Sequence, residues 1–225
     1  MRVFVVGEDA VTLAVIRRVL AYCSDDCEVI QDLPARGGQV KSKISEFNKL
    51  SETYPVVLLI DLDNDDCAPL LIKKLIKDKN KDFIFNIAVD EAEAWLMADR
   101  KGFASYFRIK MEDMPSAHQT RQGGRKALTE MNFTYKSSMY LTHDLIKKSK
   151  SAEYIQQLTP KKNAAKGPEY NSCMLPFIQN VWNIDDARQN ADSLNRMILR
   201  IEELEKRQSR KNADDTSMSS AFKKI

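Results

Sequence analysis

Four short runs rich in β-branched or aromatic residues punctuate the first 110 residues, and segments with helical periodicity separate them. The runs are RVFVV, CEVIQDL, YPVVLLID and FIFNIAV. The third run is apolar almost throughout, which is typical of a strand buried on both faces. Regular alternation of strands and helices predicts a parallel sheet with helices on both faces. The expected fold class is therefore α/β, with a four-stranded parallel sheet in residues 1–110.

The pattern changes after residue 110, where no further strands are indicated and shorter helical segments follow. Residues 111–208 are expected to form a helical extension, ending in a long helix from about Asp185 to Gln208. The polar residues 209–225 are expected to be disordered. The long helix carries an apolar stripe of Ala187, Ala191, Leu194, Ile198, Ile201 and Leu204. Because it spans barely three heptads, the stripe is expected to face the protein's own core, with a homodimer seam as the alternative.

Composition limits the classes of protein to which the chain can belong. The 35 Lys and Arg residues exceed the 32 Asp and Glu residues only slightly, so net charge alone does not indicate nucleic-acid binding. The four cysteines have no zinc-site spacing. The sequence shows no signal peptide pattern and no apolar run of the ~20 residues that a membrane span needs. We expect a cytoplasmic protein with reduced thiols and no membrane association.

An acidic stretch, LLIDLDNDD at residues 58–66, follows the third predicted strand. In parallel sheets, ligands bind beyond the carboxyl ends of the strands. Asp61 and Asp63 are two residues apart and would point to the same face of a strand. Glu8 follows the first strand and would join them if the two strands are neighbours. Converging carboxylates are the ligands that Mg²⁺ or Mn²⁺ prefers, so the sequence predicts a metal site here.

Three alternative interpretations of the acidic stretch were considered. An EF-hand loop is excluded, because Asp66 stands where glycine is required and Ile72 where glutamate is required. A receiver-type signalling domain also has acids after its first and third strands, but FIFNIAVDEAEAW lacks the Ser or Thr that follows its fourth strand. In the third interpretation, Asp65 or Asp66 only caps the following helix.

Two motifs resemble known families. A Glu after the first strand and an Asp-x-Asp after a later strand resemble the Toprim fold of topoisomerases, primases and OLD-type nucleases. The segment AVDEAEAWLMADRKGFASYF is similar to the E-x-E-x-W-L-x-A-D helix of DUF4276, a family of Toprim-like proteins of unknown function often found beside ATPases in bacterial defence islands. GPEYNSCMLPFIQNVWNIDDARQNADSLNRMI is also similar to that family's C-terminal pattern. The resemblance extends from Gly7 to about Ile198.

The resemblance implies a function and a set of site residues. Glu8, Asp61 and Asp63 would be the catalytic, metal-binding acids, and Glu91 and Glu93 would complete a second metal site. The implied activity is that of a Mg²⁺- or Mn²⁺-dependent Toprim endonuclease, a hydrolase acting on DNA or tRNA. The implied context is anti-phage defence, with an ABC/OLD-like ATPase as protein partner. The alternative is a non-catalytic adaptor or regulatory module that binds the ATPase.

The family usually has glycine after the first glutamate, whereas this chain has Asp9. A lysine-rich stretch at residues 147–166 contains six lysines and one acid. Such a stretch could neutralise the phosphates beside a cleavage site, or it could be a solvated loop. The residues expected to contact nucleic acid are Lys147, Lys148, Lys161 and Lys162. Trp95 is expected to anchor the core under the site.

Overall fold

A four-stranded parallel sheet forms the centre of the N-terminal half of the protein. The computed structural model describes residues 1–35, 37–63, 65, 67–120 and 128–222. The strands are β1 (Arg2–Gly7), β2 (Glu28–Asp32), β3 (Val56–Asp61) and β4 (Phe83–Ala88). They pair in parallel in the order β2-β1-β3-β4, which confirms the predicted sheet. Because β1 and β3 are neighbours, Glu8 and Asp61 lie at the same edge.

Helices cover both faces of this sheet. They are α1 (Ala10–Cys23), α2 (Gln39–Ser42), α3 (Ile44–Leu50), α4 (Ala68–Leu75), α5 (Ala92–Ala98) and α6 (Arg100–Tyr106). Val57 and Leu59 of β3 pack in the cluster that contains α1, α5 and α6, whereas Leu58 and Ile60 pack against α2, α3 and α4. The unbroken apolar sequence of β3 is thus explained, because alternate side chains enter two different hydrophobic clusters.

The C-terminal half is mainly helical but contains a hairpin that the sequence did not predict. Its elements are β5 (Ala117–Thr120), β6 (Leu128–Met131), α7 (Ser137–Tyr140), a π-helical turn (Leu141–Leu145), α8 (Ala152–Leu158), α9 (Tyr170–Asn180), α10 (Ile184–Asn190) and α11 (Asp192–Phe222), with 3₁₀ turns at Met111–Asp113 and Ile146–Lys148. Distant contacts stabilise the hairpin: the Thr129 N–H donates to the Asp192 carboxylate at 2.7 Å. Local sequence periodicity carries no information about such contacts.

The apolar stripe of the C-terminal helices packs inside the protein. All six stripe residues are fully buried, in the same cluster as α1 and one face of the sheet. The predicted intramolecular role of the stripe is therefore confirmed. The predicted single helix is divided at Ala191, where the Ser193 N–H at the start of α11 donates to Glu130 of β6 at 2.7 Å.

Helix α11 continues past residue 208 to Phe222, within the tail of residues 209–225 that was expected to be disordered, and residues 223–225 lie outside the described part of the chain. The segment from Asp192 to Phe222 contains no glycine or proline to end the helix. Trp95 is 0% exposed, and its indole N–H donates to the Ser193 hydroxyl at 2.8 Å, which confirms its predicted place in the core. Among the helices described, none is both long and apolar enough to cross a membrane.

Candidate functional site

Gly7 and Asp9 shape the turn that places Glu8 beyond the end of β1. A Cβ atom at Gly7 would lie 2.7 Å from the Thr12 Oγ1 atom and 2.9 Å from the Leu13 backbone nitrogen, so this close approach requires glycine. The Asp9 carboxylate accepts a hydrogen bond from the Thr12 N–H at 2.9 Å and caps α1. The Asp9 side chain at this turn therefore stabilises the start of α1.

Acidic side chains gather at the carboxyl edge of the sheet. They follow β1, β3 and β4, the three neighbouring strands. We call them the acidic cluster: Glu8, Asp9, Asp61, Asp63, Asp90, Glu91 and Glu93. The turns that leave β3 and β4 contain left-handed residues, Asp63 with φ 54° and Asp90 with φ 68°. Aspartate tolerates this conformation better than most residues, so the sequence favours these sharp turns.

Asp61 is a partly buried member of the acidic cluster. It ends β3 beside Ala88, the last residue of β4, and its Oδ1 atom accepts a hydrogen bond from the Ala92 N–H at 2.9 Å. Burial, together with the nearby Glu93 and Glu8 carboxylates, raises the pKa of Asp61 to about 9. The Asp61 carboxyl group is therefore protonated at neutral pH unless a cation compensates its charge.

Glu8 approaches the cluster from β1. Burial and the Asp63 carboxylate raise the pKa of Glu8 to about 7, although Lys41 partly opposes them. Within the described part of the chain, neither Glu8 nor Asp61 takes part in a salt bridge. These two carboxylates, from neighbouring strands, therefore have no salt-bridge partner among the described residues, as is also true of Asp90.

Asp63 differs from Asp61 in direction and in partners. The two were expected to point to the same face of a strand, but β3 ends at Asp61 and the chain has turned by Asp63. The Asp63 carboxylate accepts hydrogen bonds from the Lys136 ammonium at 3.0 Å and the Lys41 ammonium at 3.4 Å. Burial would raise the pKa of Asp63, but these two lysines hold it below its usual value.

Glu91 anchors the start of α7 to the cluster. Its side chain is 9% exposed, and its Oε2 atom accepts hydrogen bonds from the Ser138 N–H at 2.7 Å and the Ser137 hydroxyl at 3.2 Å. Its other oxygen lies 3.7 Å from the Lys136 Nζ atom. The neighbouring Asp90 accepts a hydrogen bond from the Ser137 N–H at 3.3 Å, and burial raises its pKa to about 6.

Glu93 binds the segment that leads into α9. Its buried carboxylate accepts hydrogen bonds from the Tyr170 hydroxyl at 2.6 Å and the Lys166 ammonium at 3.3 Å. Lys166 also donates to Asp9 at 2.9 Å. Glu91 and Glu93, the acids predicted for a second metal site, therefore both lie in the cluster but hold C-terminal segments in place.

Three lysines that contact the cluster come from distant parts of the chain: Lys41 from α2, Lys136 before α7, and Lys166 after α8. Neither Lys41 nor Lys136 was among the predicted site residues, and Lys166 was predicted only as part of the lysine-rich stretch. Their neighbours in sequence carry no motif that would have identified them. Only the tertiary structure shows that they reach the acids.

The four lysines expected to contact nucleic acid lie elsewhere among the described residues. Lys147 and Lys148 are in a 3₁₀ turn, where Lys148 pairs with Asp113 at 3.2 Å. Lys161 and Lys162 follow α8 and are exposed. None of the four forms a salt bridge with the acidic cluster. Their role in binding nucleic acid remains a prediction.

The helix-capping interpretation of the acidic stretch finds no support at Asp65. The N-cap of α4 is Cys67, which makes no capping hydrogen bond through its side chain. Asp65 instead lies 3.6 Å from the Lys41 ammonium. Asp66, the other residue considered as a cap, is outside the described residues.

The donor set of the cluster fits a divalent cation in part. Among the described residues, no group of three or more His, Cys, Asp or Glu side chains is placed around one metal position. Mg²⁺, however, commonly binds proteins through one or two carboxylates and completes its shell with water and phosphate. Glu8 and Asp61, partly buried and without a salt bridge in the described part of the chain, match that requirement. Asp63, Glu91 and Glu93 would have to exchange their present partners before they could act as ligands.

Comparison with known proteins gives a family but no characterised relative. Neither the curated proteins nor the solved structures yielded a match. The family described as Domain of unknown function (DUF4276) matches residues 7–130, which is more than half of the chain. The match covers β2, β3, β4, the acidic cluster and β5, and it begins at the last residue of β1 and ends within β6. The chain therefore belongs to the DUF4276 family.

Proposed function

We propose that this protein is a Mg²⁺- or Mn²⁺-dependent nuclease of Toprim type that hydrolyses phosphodiesters of DNA or RNA. The observation that carries the proposal is the pairing of Glu8 and Asp61. They come from neighbouring strand ends, and their pKa values are raised first by burial and second by the repulsion of nearby carboxylates. A bound cation would offset that repulsion.

The lysines around the acidic cluster suit a phosphodiester substrate. Lys41 and Lys136 lie on the Asp63 side, and Lys166 lies on the Glu93 side. Each ammonium group can exchange a carboxylate partner for a phosphate oxygen when substrate enters. The acids would then bind the cation while the lysines neutralise the phosphate. The cation and the phosphate would each contact side chains of opposite charge.

The chemistry of the proposed reaction is hydrolysis by an activated water. A bound Mg²⁺ ion would neutralise phosphate charge and lower the pKa of a bound water. Glu8 has a pKa near neutrality, so it suits either cation binding or acceptance of the proton from the attacking water. Asp61 would act as a ligand held in position by the hydrogen bond that it accepts from the Ala92 N–H.

A second function is favoured by the salt bridges within the cluster. Lys136 pairs with Asp63 and Glu91, and Lys166 pairs with Asp9 and Glu93, which stabilises the docking of the C-terminal half. Such a cluster could serve only to assemble a non-catalytic adaptor that binds an ATPase. Disrupting the stripe on α10 and α11 would not identify an adaptor, because that stripe is buried in the core.

A cleavage panel separates the two functions. Purified protein is incubated with supercoiled DNA, single-stranded DNA or bulk tRNA, in Mg²⁺, Mn²⁺ or EDTA, with and without the neighbouring ATPase. Asp61→Asn is the test variant. Asp32→Asn is the control, because Asp32 also ends a strand at this edge but pairs with Arg17.

The nuclease proposal predicts metal-dependent cleavage that Asp61→Asn abolishes and Asp32→Asn retains. The substrate that is cut would also distinguish DNA from RNA. Absence of cleavage in every condition, including those with the ATPase and its trigger, would contradict the nuclease proposal and support the adaptor.

A further inference from the structure

An exposed aromatic surface includes the residue that precedes Lys136, the lysine that pairs with Asp63 of the acidic cluster. It lies in the loop between β6 and α7 and in α7 itself, where the Tyr140 ring packs edge-on against Phe133 at 5.5 Å and Tyr135 at 6.2 Å. Tyr135 is 40% exposed and Met139 is 46% exposed. Large side chains that remain exposed beside a polar site indicate a surface for a ligand rather than part of the core.

Tyr135 is fixed in place although it is exposed. Its hydroxyl donates a hydrogen bond to Asp144, and Tyr140 supports one side of its ring. The loop that carries it is bound to the acidic cluster two residues later, where the Ser137 N–H donates to Asp90 at 3.3 Å. A ring held rigidly loses little conformational freedom when a planar group stacks on it.

Lys136 connects this ring to the acidic cluster. It follows Tyr135 directly in the chain, and its ammonium lies 3.0 Å from the Asp63 carboxylate and 3.7 Å from Glu91. An exposed aromatic residue therefore directly precedes, in the chain, a lysine whose ammonium reaches the candidate cleavage site. A nucleotide has the matching arrangement, because its planar base and its anionic phosphate are joined through one sugar.

We propose that Tyr135 is a stacking platform for an unpaired base, and that the substrate is therefore single-stranded nucleic acid with a phosphate beside Lys136. The proposal rests on the proposed nuclease function and specifies its substrate class. Aromatic rings bind bases of any sequence by stacking, but the bases of a duplex are already stacked and paired. Single strands, or single-stranded regions of a folded RNA, should consequently bind more tightly than duplex DNA.

The test measures oligonucleotide binding in EDTA, where no metal-dependent cleavage occurs. Fluorescein-labelled strands of about 12 nucleotides match the site sizes of single-strand binding proteins. The probes are oligo-dT, oligo-rU, an abasic strand of equal length and a DNA duplex, followed by fluorescence anisotropy. The variants are Tyr135→Leu, which removes the ring, and Tyr135→Phe, which removes only the hydroxyl. Tyr54→Leu is the matched control, because Tyr54 is 39% exposed and precedes β3 at the opposite edge of the sheet.

Tyr135→Leu is expected to bind oligo-dT or oligo-rU about fivefold to a hundredfold more weakly, since stacking on one ring contributes ~1–3 kcal/mol. Tyr135→Phe keeps the ring and should lose much less affinity than Tyr135→Leu. Tyr54→Leu should bind as the wild type does, and the abasic strand should be insensitive to Tyr135→Leu. Preference for oligo-dT or for oligo-rU would identify DNA or RNA as the source of the strand. The unfolding midpoint of each variant shows whether the fold is retained.

Two results would overturn the stacking proposal alone. One is equal binding by Tyr135→Leu and the wild type. The other is equal loss in Tyr135→Phe and Tyr135→Leu, which would assign the effect to the Asp144 hydrogen bond. In either case, the nuclease proposal would still be supported if the wild type cleaves in a metal-dependent way and Asp61→Asn does not. A wild type that bound none of the probes and cleaved none of the substrates would refute both.

Discussion

Asp61→Asn should stabilise the folded protein at neutral pH when no metal is present. The substitution keeps the size of the side chain and an oxygen that accepts the hydrogen bond from Ala92. It removes the ionisable group whose pKa burial and the neighbouring Glu93 and Glu8 raise most strongly. Residues that bind a cation or substrate commonly reduce stability in this way, because the fold places their charges together for function.

The size of the effect follows from the shift in the pKa of Asp61 from 3.8 to about 9. Because the folded state binds this proton more tightly than the unfolded chain, the group adds stability below pH 3.8 and loses it as pH rises toward about 9. Each pH unit in that window lowers the free energy of unfolding of the wild type by ~1.4 kcal/mol, which amounts to ~4 kcal/mol at pH 7. Solvent at the rim of the site screens part of this cost, so we expect Asp61→Asn to raise the unfolding free energy by ~2–3 kcal/mol.

The assay is urea and thermal unfolding in EDTA at pH 5, 7 and 8.5. A gain of ~2–3 kcal/mol corresponds to a rise of roughly 5–10 °C in midpoint for a chain of this size. The gain should grow with pH, since the wild type loses stability across the window and the variant does not. Asp63→Asn is the control, because asparagine tolerates the left-handed backbone at this position. It removes the salt bridges to Lys136 and Lys41, so the free energy of unfolding should fall by up to ~1 kcal/mol. Equal pH dependence in the wild type and Asp61→Asn would refute the reasoning.

Two further predictions concern the metal and the core. Added Mg²⁺ should raise the unfolding midpoint of the wild type but not that of Asp61→Asn, because a cation that binds only the folded state stabilises it; an equal rise in both proteins would place the binding elsewhere. Leu194→Ala should cost ~2–5 kcal/mol in urea unfolding, since Leu194 is 0% exposed in the core. Leu199→Ala, on the same helix and 50% exposed, should change stability by less than ~0.5 kcal/mol, and similar losses in the two variants would contradict the buried position of the stripe.

The sequence alone identified the features that depend on local periodicity. Alternation of period-two and helical patterns predicted the four parallel strands, and the stripe on α10 and α11 correctly indicated a buried face. The ends of β1 and β3 placed Glu8 and Asp61 at one edge, because carboxyl ends of parallel strands meet there. The motif around Trp95 also indicated the family to which the chain belongs.

Only the tertiary structure decided which groups partner the acids. The turn at Asp63 separates it from Asp61, and Lys41, Lys136 and Lys166 approach from segments far apart in the chain. The hairpin of β5 and β6 likewise depends on contacts with the start of α11. Periodicity reports which face of an element is buried, whereas ion pairs between distant segments depend on how those elements pack. The sequence therefore indicated the frame and five acids of the cluster, and the packing of the C-terminal half determined the charge balance of the site.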